Sequence, residues 1–365
     1  MKRGLNIAFF GSSLVSAYWN GAATYYRGIV RALHELGHRT TFFEPDAFER
    51  QQHRDLSDPW WADVVVYPGT TSGMQSALGR AREANVIVKA SGVGIFDAEL
   101  EAAVLGLKRP ENVIIFWDVD APATLDRLDS NGSDPFHQLV PQYDLVLTYG
   151  GGNPVVTAYK LHGARACIPI YNALDPFLNF PVEQRPDFVA DLAFLGNRLP
   201  DREARVDEFF VRAAQLAPRF QFLLGGSGWG DRSFPHNVKY VDHLFTKDLN
   251  AFNCSARLVL NISRESMARY GFSPATRLFE AAGAGACLVT DYWDGLEDFL
   301  EPDREVLVAR NGEEVAALVK DLDEQRRRRI GKAARKRVLA DHTYVRRALE
   351  VEEVLQSTLA YRMSL

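Results

Sequence analysis

LVLNISRESMARYGFSPATRLFEAAGAGACLVTDYWDGL, residues 258 to 296, is the stretch on which the fold turns. An apolar run of strand character, Arg257–Ile262, leads into a polar loop. Ser273-Pro274 then introduces an apolar-periodic segment, Ala275–Ala284, and a second apolar run follows at Ala286–Thr290. Ser273 suits a helix N-cap because its hydroxyl can accept an orphan amide bond, and Pro274 suits the first helical position, where no amide proton is needed. Leu278, Phe279, Ala281 and Ala282 then face a sheet, and Gly283 and Gly285 close the helix. A loop that enters a helix N-terminus presents free N–H groups and partial positive charge, which suits a phosphate. Arg264 and Arg277 flank that spot, Ser273 and Thr276 stand at the helix start, and Glu280 follows two turns in. The pattern predicts a phosphate site beside a carboxylate able to grip ribose hydroxyls. The competing reading is an ordinary strand–loop–helix unit that binds nothing, with Glu280 an exposed or salt-bridged helix glutamate. Under the ligand reading, alanine at 280 is expected to weaken binding and leave the fold intact, because a polar helix face tolerates it.

The rest of the chain bounds that choice. At 365 residues it accommodates two domains, each with its own core. Lys and Arg number 42 against 47 Asp and Glu, so the net charge of −5 gives no reason to expect a nucleic-acid partner. The Arg326–Arg329 run follows Asp321, Asp323 and Glu324 and reads as a solvated helix face. Cys167, Cys254 and Cys287 are odd in number, lack CxxC spacing and sit in or beside apolar runs, which predicts reduced cysteines of a cytosolic protein. Lys2 and Arg3 before Leu5–Phe10 imitate a signal peptide, but the apolar run is too short, and no stretch has the length of a membrane span.

Strand-like runs recur through the first half at Leu5–Phe10, Thr40–Phe43, Asp63–Tyr67, Val86–Ala90, Val113–Trp117, Leu145–Tyr149 and Ala166–Tyr171. Helical patterns separate most of them. One opens at Gly21-Ala22-Ala23-Thr24 and ends at Gly37. Such alternation predicts a parallel sheet covered on both faces, with ligands at the carboxyl ends of its strands. Those ends are polar or glycine-rich: Gly69-Thr70-Thr71, Ser91-Gly92-Val93-Gly94, Asp118-Val119-Asp120 and Gly150-Gly151-Gly152-Asn153. A proline-spaced stretch, residues 172–188, reads as a linker. The alternation then resumes, with strands at Leu192–Leu195, Phe220–Leu224, Val238–Val241 and Glu305–Val308, and a helix from Asp201 to Ala217. From Glu313 onward the charge-rich periodicity predicts three helices. The reading is α/β: two tandem doubly wound Rossmann-like domains, 1–171 and 189–340, with a C-terminal helical tail, 341–365, that returns to the first domain.

At this point the sequence resembles a GT-B glycosyltransferase of the group 1-like kind, and more narrowly the spore-maturation (CgeB-type) branch. Four stretches carry the resemblance: Ile170-Tyr171-Asn172-Ala173-Leu174-Asp175-Pro176; Phe194-Leu195-Gly196-Asn197-Arg198 with Asp201-Arg202; Ser273–Thr290; and Gly295-Leu296-Glu297 with Arg304-Glu305-Val306-Leu307-Val308. The resemblance implies that Arg198 and Arg202 meet the donor diphosphate and that Glu280 holds the donor ribose. It also implies that the loop around Gly21 and Ala22 borders the donor. The wider superfamily carries two glutamates separated by seven residues. Glu280 matches the second, whereas Phe272 stands at the first.

Arginine forks at strand ends suit a departing diphosphate, which makes Arg198, Arg202, Arg264 and Arg277 candidates; surface salt bridging is the alternative for each. His243 and Leu244, just past a strand, are candidates to border the nucleobase, and Gly151 is a cleft-loop candidate. Asp118 and Asp120 offer three readings: a base for an acceptor hydroxyl, a cap for the helix after Pro122, or a DxD metal pair, ranked last. No serine-hydrolase set, HExxH, P-loop or zinc motif occurs. The expected activity is metal- and cofactor-independent transfer of a sugar from a nucleoside-diphosphate sugar. The acceptor, whether small molecule, glycan or protein, is unidentified. The alternatives are a nucleotide-sugar epimerase of similar build and a non-catalytic nucleotide-sugar sensor or coat-assembly protein.

Overall fold

The computed structural model of the chain describes residues 4–18 and 20–363, so Lys2 and Arg3 lie outside the described residues. Two compact units are present. One comprises the chain as far as Tyr171 together with the helix Tyr344–Met363, and the other runs from Asn172 to Thr343.

The first unit is built on seven strands: β1 (Asn6–Phe10), β2 (Arg39–Asp46), β3 (Asp63–Pro68), β4 (Val86–Ala90), β5 (Val113–Asp118), β6 (Leu145–Thr148) and β7 (Cys167–Pro169). They pair in parallel in the order β3-β2-β1-β4-β5-β6-β7, with Ile7 opposite both Thr40 and Val86. The order reverses between β1 and β4, which creates a crevice at their carboxyl ends. Every residue of β4 and β5 is buried, as a parallel sheet covered on both faces requires. Even Lys89 in β4 is fully buried, its ammonium held 2.6 Å from Asp97.

Helix Ala23–Glu35 ends where the glycine signal predicts. Gly37 takes φ 92°, its N–H donates to His34 O, and His38 N–H donates to Leu33 O, which together satisfy the last carbonyls. Helix Tyr344–Met363 packs on this helix so closely that a Cβ on Gly28 would lie 2.2 Å from the Tyr344 ring. Nearby, Tyr25 OH donates to Ile170 O at 2.6 Å and receives Trp117 Nε1–H at 3.0 Å. Gly28→Val is therefore expected to overpack this seam and to lower stability in urea unfolding by about 1–3 kcal/mol.

Six strands form the second sheet: β8 (Ala190–Leu195), β9 (Phe222–Gly225), β10 (Val238–Val241), β11 (Ala256–Asn261), β12 (Leu288–Asp291) and β13 (Leu307–Ala309). All pairs are parallel, in the order β10-β9-β8-β11-β12-β13, so the reversal falls between β8 and β11. Its core gathers Phe194, Phe210, Trp229, Leu260, Val289 and Ile330. The helix expected over 201–217 is interrupted. Pro200–Val206 and Arg212–Leu216 are joined by a π-helical turn, Asp207–Val211, beside which Gly312 packs against Glu208 O. The tail is the expected three helices, Gly312–Asp321, Glu324–Asp341 and Tyr344–Met363, the first two capped by Asn311 and Asp323.

The stretch read as a linker is bound along the second unit. Leu174 N–H donates to His342 O, Val182 N–H to Cys254 Sγ, and Arg185 N–H to Ser255 Oγ. In the decisive stretch the helix spans Thr276–Gly283, with Ala275 and not Ser273 at the N-cap. Ser273 Oγ instead donates to Gly271 O, because the chain turns at Gly271 (φ 69°) and Phe272 (φ 46°), and the extended residue before the helix is Ala275. A short helix, Glu265–Tyr270, occupies the expected loop. The far end is as expected: Gly285 (φ 76°) donates to Ala282 O, and Ala286 to Ala281 O. Among the described residues no helix is long and apolar enough to cross a membrane.

Candidate functional site

In the second unit the carboxyl ends of β8 and β11 flank the point of reversal, and the segments that follow those strands carry most of the candidate residues. A buried acid orders them. Asp291, at the end of β12, is fully buried; Ser263 donates to it through both N–H (3.0 Å) and Oγ (3.2 Å), and Arg205 Nη2 approaches to 2.6 Å. Burial raises the Asp291 pKa, opposed by Arg205 and Ser263. Arg205 also donates to Ser263 O and pairs with Glu265, so one guanidinium fixes the loop that leaves β11. Sequence reasoning missed this anchor. Its one local signal was an aspartate closing an apolar run, the same signal noted at Asp118.

The four candidate arginines differ in what their forks retain. Arg198 donates Nε and Nη2 to Glu203, and Nη1 to Asp231 and Gly228 O. Its pKa is raised first by Glu203 and then by Asp231. Every nitrogen of that fork is engaged, by Glu203 of the following helix and by Gly228 and Asp231 of the segment after β9, so surface ion pairing is the reading the structure favours for Arg198. Arg202 Nη1 donates to Asn197 O at 3.3 Å, close over Gly196, where a Cβ would crowd it. Arg264 Nε donates to Asp201 at 2.8 Å, and Ser266 Oγ joins the same carboxylate.

Arg277 is the exception. It is four-fifths buried, and among the described residues Nη1 has no hydrogen-bond partner; Glu280 Oε2 stands 3.7 Å from it. Burial lowers the Arg277 pKa and raises that of Glu280, each partly offset by the other. Glu280 is only 8% exposed, so the exposed half of the alternative, and with it the alanine-tolerant polar face, is corrected, whereas the salt-bridged half stands: this carboxylate is buried beside the Arg277 cation. Thr276, the first residue of the same helix, donates Oγ1 to Asn172 Oδ1, and Asn172 Nδ2 donates to Pro274 O. Asn172 thus pins the helix start, a role no local motif revealed.

Phe272 holds a left-handed backbone, donates its N–H to Asp294 O at 2.6 Å, and lays its ring on Gly295, where a Cβ would come within 2.1 Å. His243 is exposed and meets Phe245 edge-on, with Leu244 half-buried beside it.

In the first unit Asp118 is fully buried at the end of β5. It accepts Ser91 Oγ–H (2.7 Å), Asp120 N–H (3.0 Å) and Tyr159 OH. Both oxygens are engaged and burial raises the pKa, so Asp118 fits neither a base nor a cap; it is an anchor for the strand end. Asp120 is half-buried and occupies the N-cap position of helix Ala121–Ser130, but its side chain makes no capping bond. Gly21 is exposed with open space where a Cβ would stand, and Ala22 precedes helix Ala23–Glu35. Gly151 (φ 89°) begins helix Gly152–Leu161, and a Cβ there would strike Val155. Among the described residues no group of three or more His, Cys, Asp or Glu side chains is placed to hold a metal ion.

Comparison with known proteins bears on the whole arrangement. Residues 202–353 match the family model described as glycosyl transferase-like. A comparison with curated proteins returned no match. Among solved structures, HepE of Anabaena in complex with UDP and glucose superposes with a TM-score of 0.68 at 15% identity, over 97% of this chain and 100% of that one. Sucrose-phosphate synthase of Thermosynechococcus elongatus gives 0.70 at 14% identity, over 98% and 100%. An alpha-glucosyltransferase in complex with UDP-glucose and DNA containing an abasic site gives 0.72 at 11% identity, over 97% and 100%. With two parallel-sheet Rossmann-like units and near-complete coverage of these enzymes, the chain has the GT-B glycosyltransferase fold.

Proposed function

We propose that the chain is a glycosyltransferase, hexosyltransferase-like and nearest in kind to the spore-maturation branch. It moves a sugar from a nucleoside-diphosphate sugar to an acceptor hydroxyl or amine without a divalent metal. The observation that carries this reading is the buried Arg277–Glu280 pair on helix Thr276–Gly283, between β11 and β12 in the chain and inside the residues that match the glycosyl transferase-like family. The carboxylate suits ribose hydroxyls. Arg277 keeps a donor in reserve, and Arg264 and Arg202 lie on the segments after β11 and β8. Cations of this kind neutralise a departing diphosphate and perform the task a metal would otherwise perform. The first unit presents the acceptor, with Asp120 as its base.

HepE and the alpha-glucosyltransferase were solved with UDP or UDP-glucose, so uridine donors are the first to try. A thermal-shift panel of nucleoside diphosphates and their sugars tests the reading. A ligand at a hundred times its Kd stabilises the folded state by about 2.7 kcal/mol, a readable shift. No response to any nucleoside diphosphate would overturn the proposal. Phe272, where the wider family has a glutamate, favours one second reading, a non-catalytic nucleotide-sugar sensor. That reading requires binding with no release of nucleoside diphosphate in the presence of any acceptor.

A further inference from the structure

The loops that follow β1, β2 and β4, at the reversal point of the first sheet, border an open pocket of about 430 Å³ lined by Tyr18, Phe48, Glu49, Arg50 and Gly94. This volume falls in the range that holds small ligands. Arg50 is the cation of that lining and is only 6% exposed. Nη1 donates to Ser12 O (3.1 Å) and Val93 O (3.2 Å), while Nε is buried with no hydrogen-bond partner. The acids that act on Arg50 from a distance, Glu44 and Asp97, are occupied elsewhere. Glu44 accepts from Ser13 Oγ, Leu14 N–H and Gln51 Nε2; Asp97 accepts from Lys89, Val93 N–H and Gly94 N–H. Among the described residues Arg50 has no ion-pair partner; a buried guanidinium so placed is costly unless an anion completes it, and its planar fork matches carboxylate and phosphate.

The walls specify more. Phe48 is 53% exposed and stands 5.1 Å from the guanidinium of Arg50. Tyr18 stacks on His53 with ring centroids 4.0 Å apart. Phe48 and Glu49 both adopt φ 56°, two consecutive left-handed residues without a glycine, and such strain concentrates at ligand sites. Phe48 lies against Gly94, where a Cβ would come within 2.6 Å of its ring. At the rim the Glu49 carboxylate is two-thirds exposed, 3.9 Å from His53 Nε2, and is placed to accept from a hydroxyl. Cation, flat apolar rings and a hydroxyl acceptor suit a hydroxylated ring that bears an anionic group.

We propose that this pocket takes an anionic sugar as the acceptor, its carboxylate or phosphate on Arg50 and its ring against Phe48 and Tyr18. The word acceptor rests on the transferase reading; the binding itself does not. Calorimetry on the full chain with methyl glucoside, methyl glucuronide and glucose 6-phosphate, and separately with UDP, tests it. One charged compound is expected to bind at least about tenfold tighter than the neutral one, and which of the two does so identifies the anion. In Arg50→Gln that preference should fall to about twofold or less with the UDP response intact. Phe48→Ala, which removes an exposed ring, should weaken the charged compound about fivefold even if Arg50→Gln does not fold. Equal binding of the three compounds, no binding tighter than about 10 mM, a preference that survives Arg50→Gln, or unchanged affinity in Phe48→Ala would each overturn the proposal. A UDP response without an anion preference sinks the pocket alone. An anion preference without any UDP response sinks the transferase reading and leaves the pocket standing.

Discussion

Glu280→Gln is expected to weaken nucleoside-diphosphate binding by about 10- to 100-fold, because a hydrogen bond to a charged acceptor contributes about 1.5–3 kcal/mol. Glutamine is the informative substitution. Both changes take the anion from a four-fifths buried Arg277, but Glu280→Gln keeps an amide oxygen and the side-chain volume beside it, whereas Glu280→Ala leaves neither and would cost the free protein about 1–3 kcal/mol, confusing affinity with folding. The same carboxylate gives the affinity a pH dependence of known sign. In the free protein, burial holds Glu280 above its ordinary 4.5 against the opposing pull of Arg277. A raised acid contributes stability that is complete below 4.5 and is lost as pH rises through the folded pKa. Ribose hydroxyls donate to the ionised form and favour it, so binding expels a proton in that window. Affinity for the diphosphate is expected to be lower near pH 5 than at pH 7, and calorimetry on Glu280→Gln should find a flatter profile. Equal affinities in wild type and Glu280→Gln at pH 7 would remove Glu280 from the site.

The parallel sheets were legible because their strands are short, mostly apolar runs set between helical patterns: Val86–Ala90 and Val238–Val241, each carrying one lysine, agree end to end with the strands observed. Glycine termination was legible for the same local reason at Gly37 and Gly285. What local pattern could not show is partnership across the chain. Ser273-Pro274 has the chemistry of a helix start, but a turn held by Asp294 O and Gly295, more than twenty residues later, delays the helix to Thr276. Arg198 looked available because Asp231 lies 33 residues away in sequence. Asp118 looked like a site acid because Ser91 and Tyr159, which occupy it, come from a preceding strand end and a following helix. Arg50 and Glu44 drew no notice, since neither belongs to a motif. The candidate site was thus legible where one helix presents it, in Arg277 and Glu280, and illegible where it depends on ion pairing over distance.

Turnover is expected to survive chelation of divalent metal, whereas Asp120→Asn should lose about 10²- to 10⁴-fold in kcat with donor affinity nearly unchanged, the range a positioned general base contributes. The two aspartates of Asp118-Val119-Asp120 separate on their surroundings. Asp118 is sealed under Ser91 and Tyr159, so Asp118→Asn removes an anchor: it should lower the stability of the first unit and give no selective loss of rate. Asp120 stands at the same strand end, half-buried, with no capping bond to the helix it precedes, and a base needs that kind of partial access. A metal bridging both would have to draw Asp118 away from three donors, Ser91 Oγ, Tyr159 OH and Asp120 N–H, at the cost of leaving them unpaired. The charge a metal would neutralise is instead assigned to Arg264, Arg277 and Arg202. If a chelator abolishes turnover and manganese restores it, or if Asp118→Asn and Asp120→Asn lose rate alike with their stability intact, the pair acts as a metal site and the role given to Asp120 is wrong.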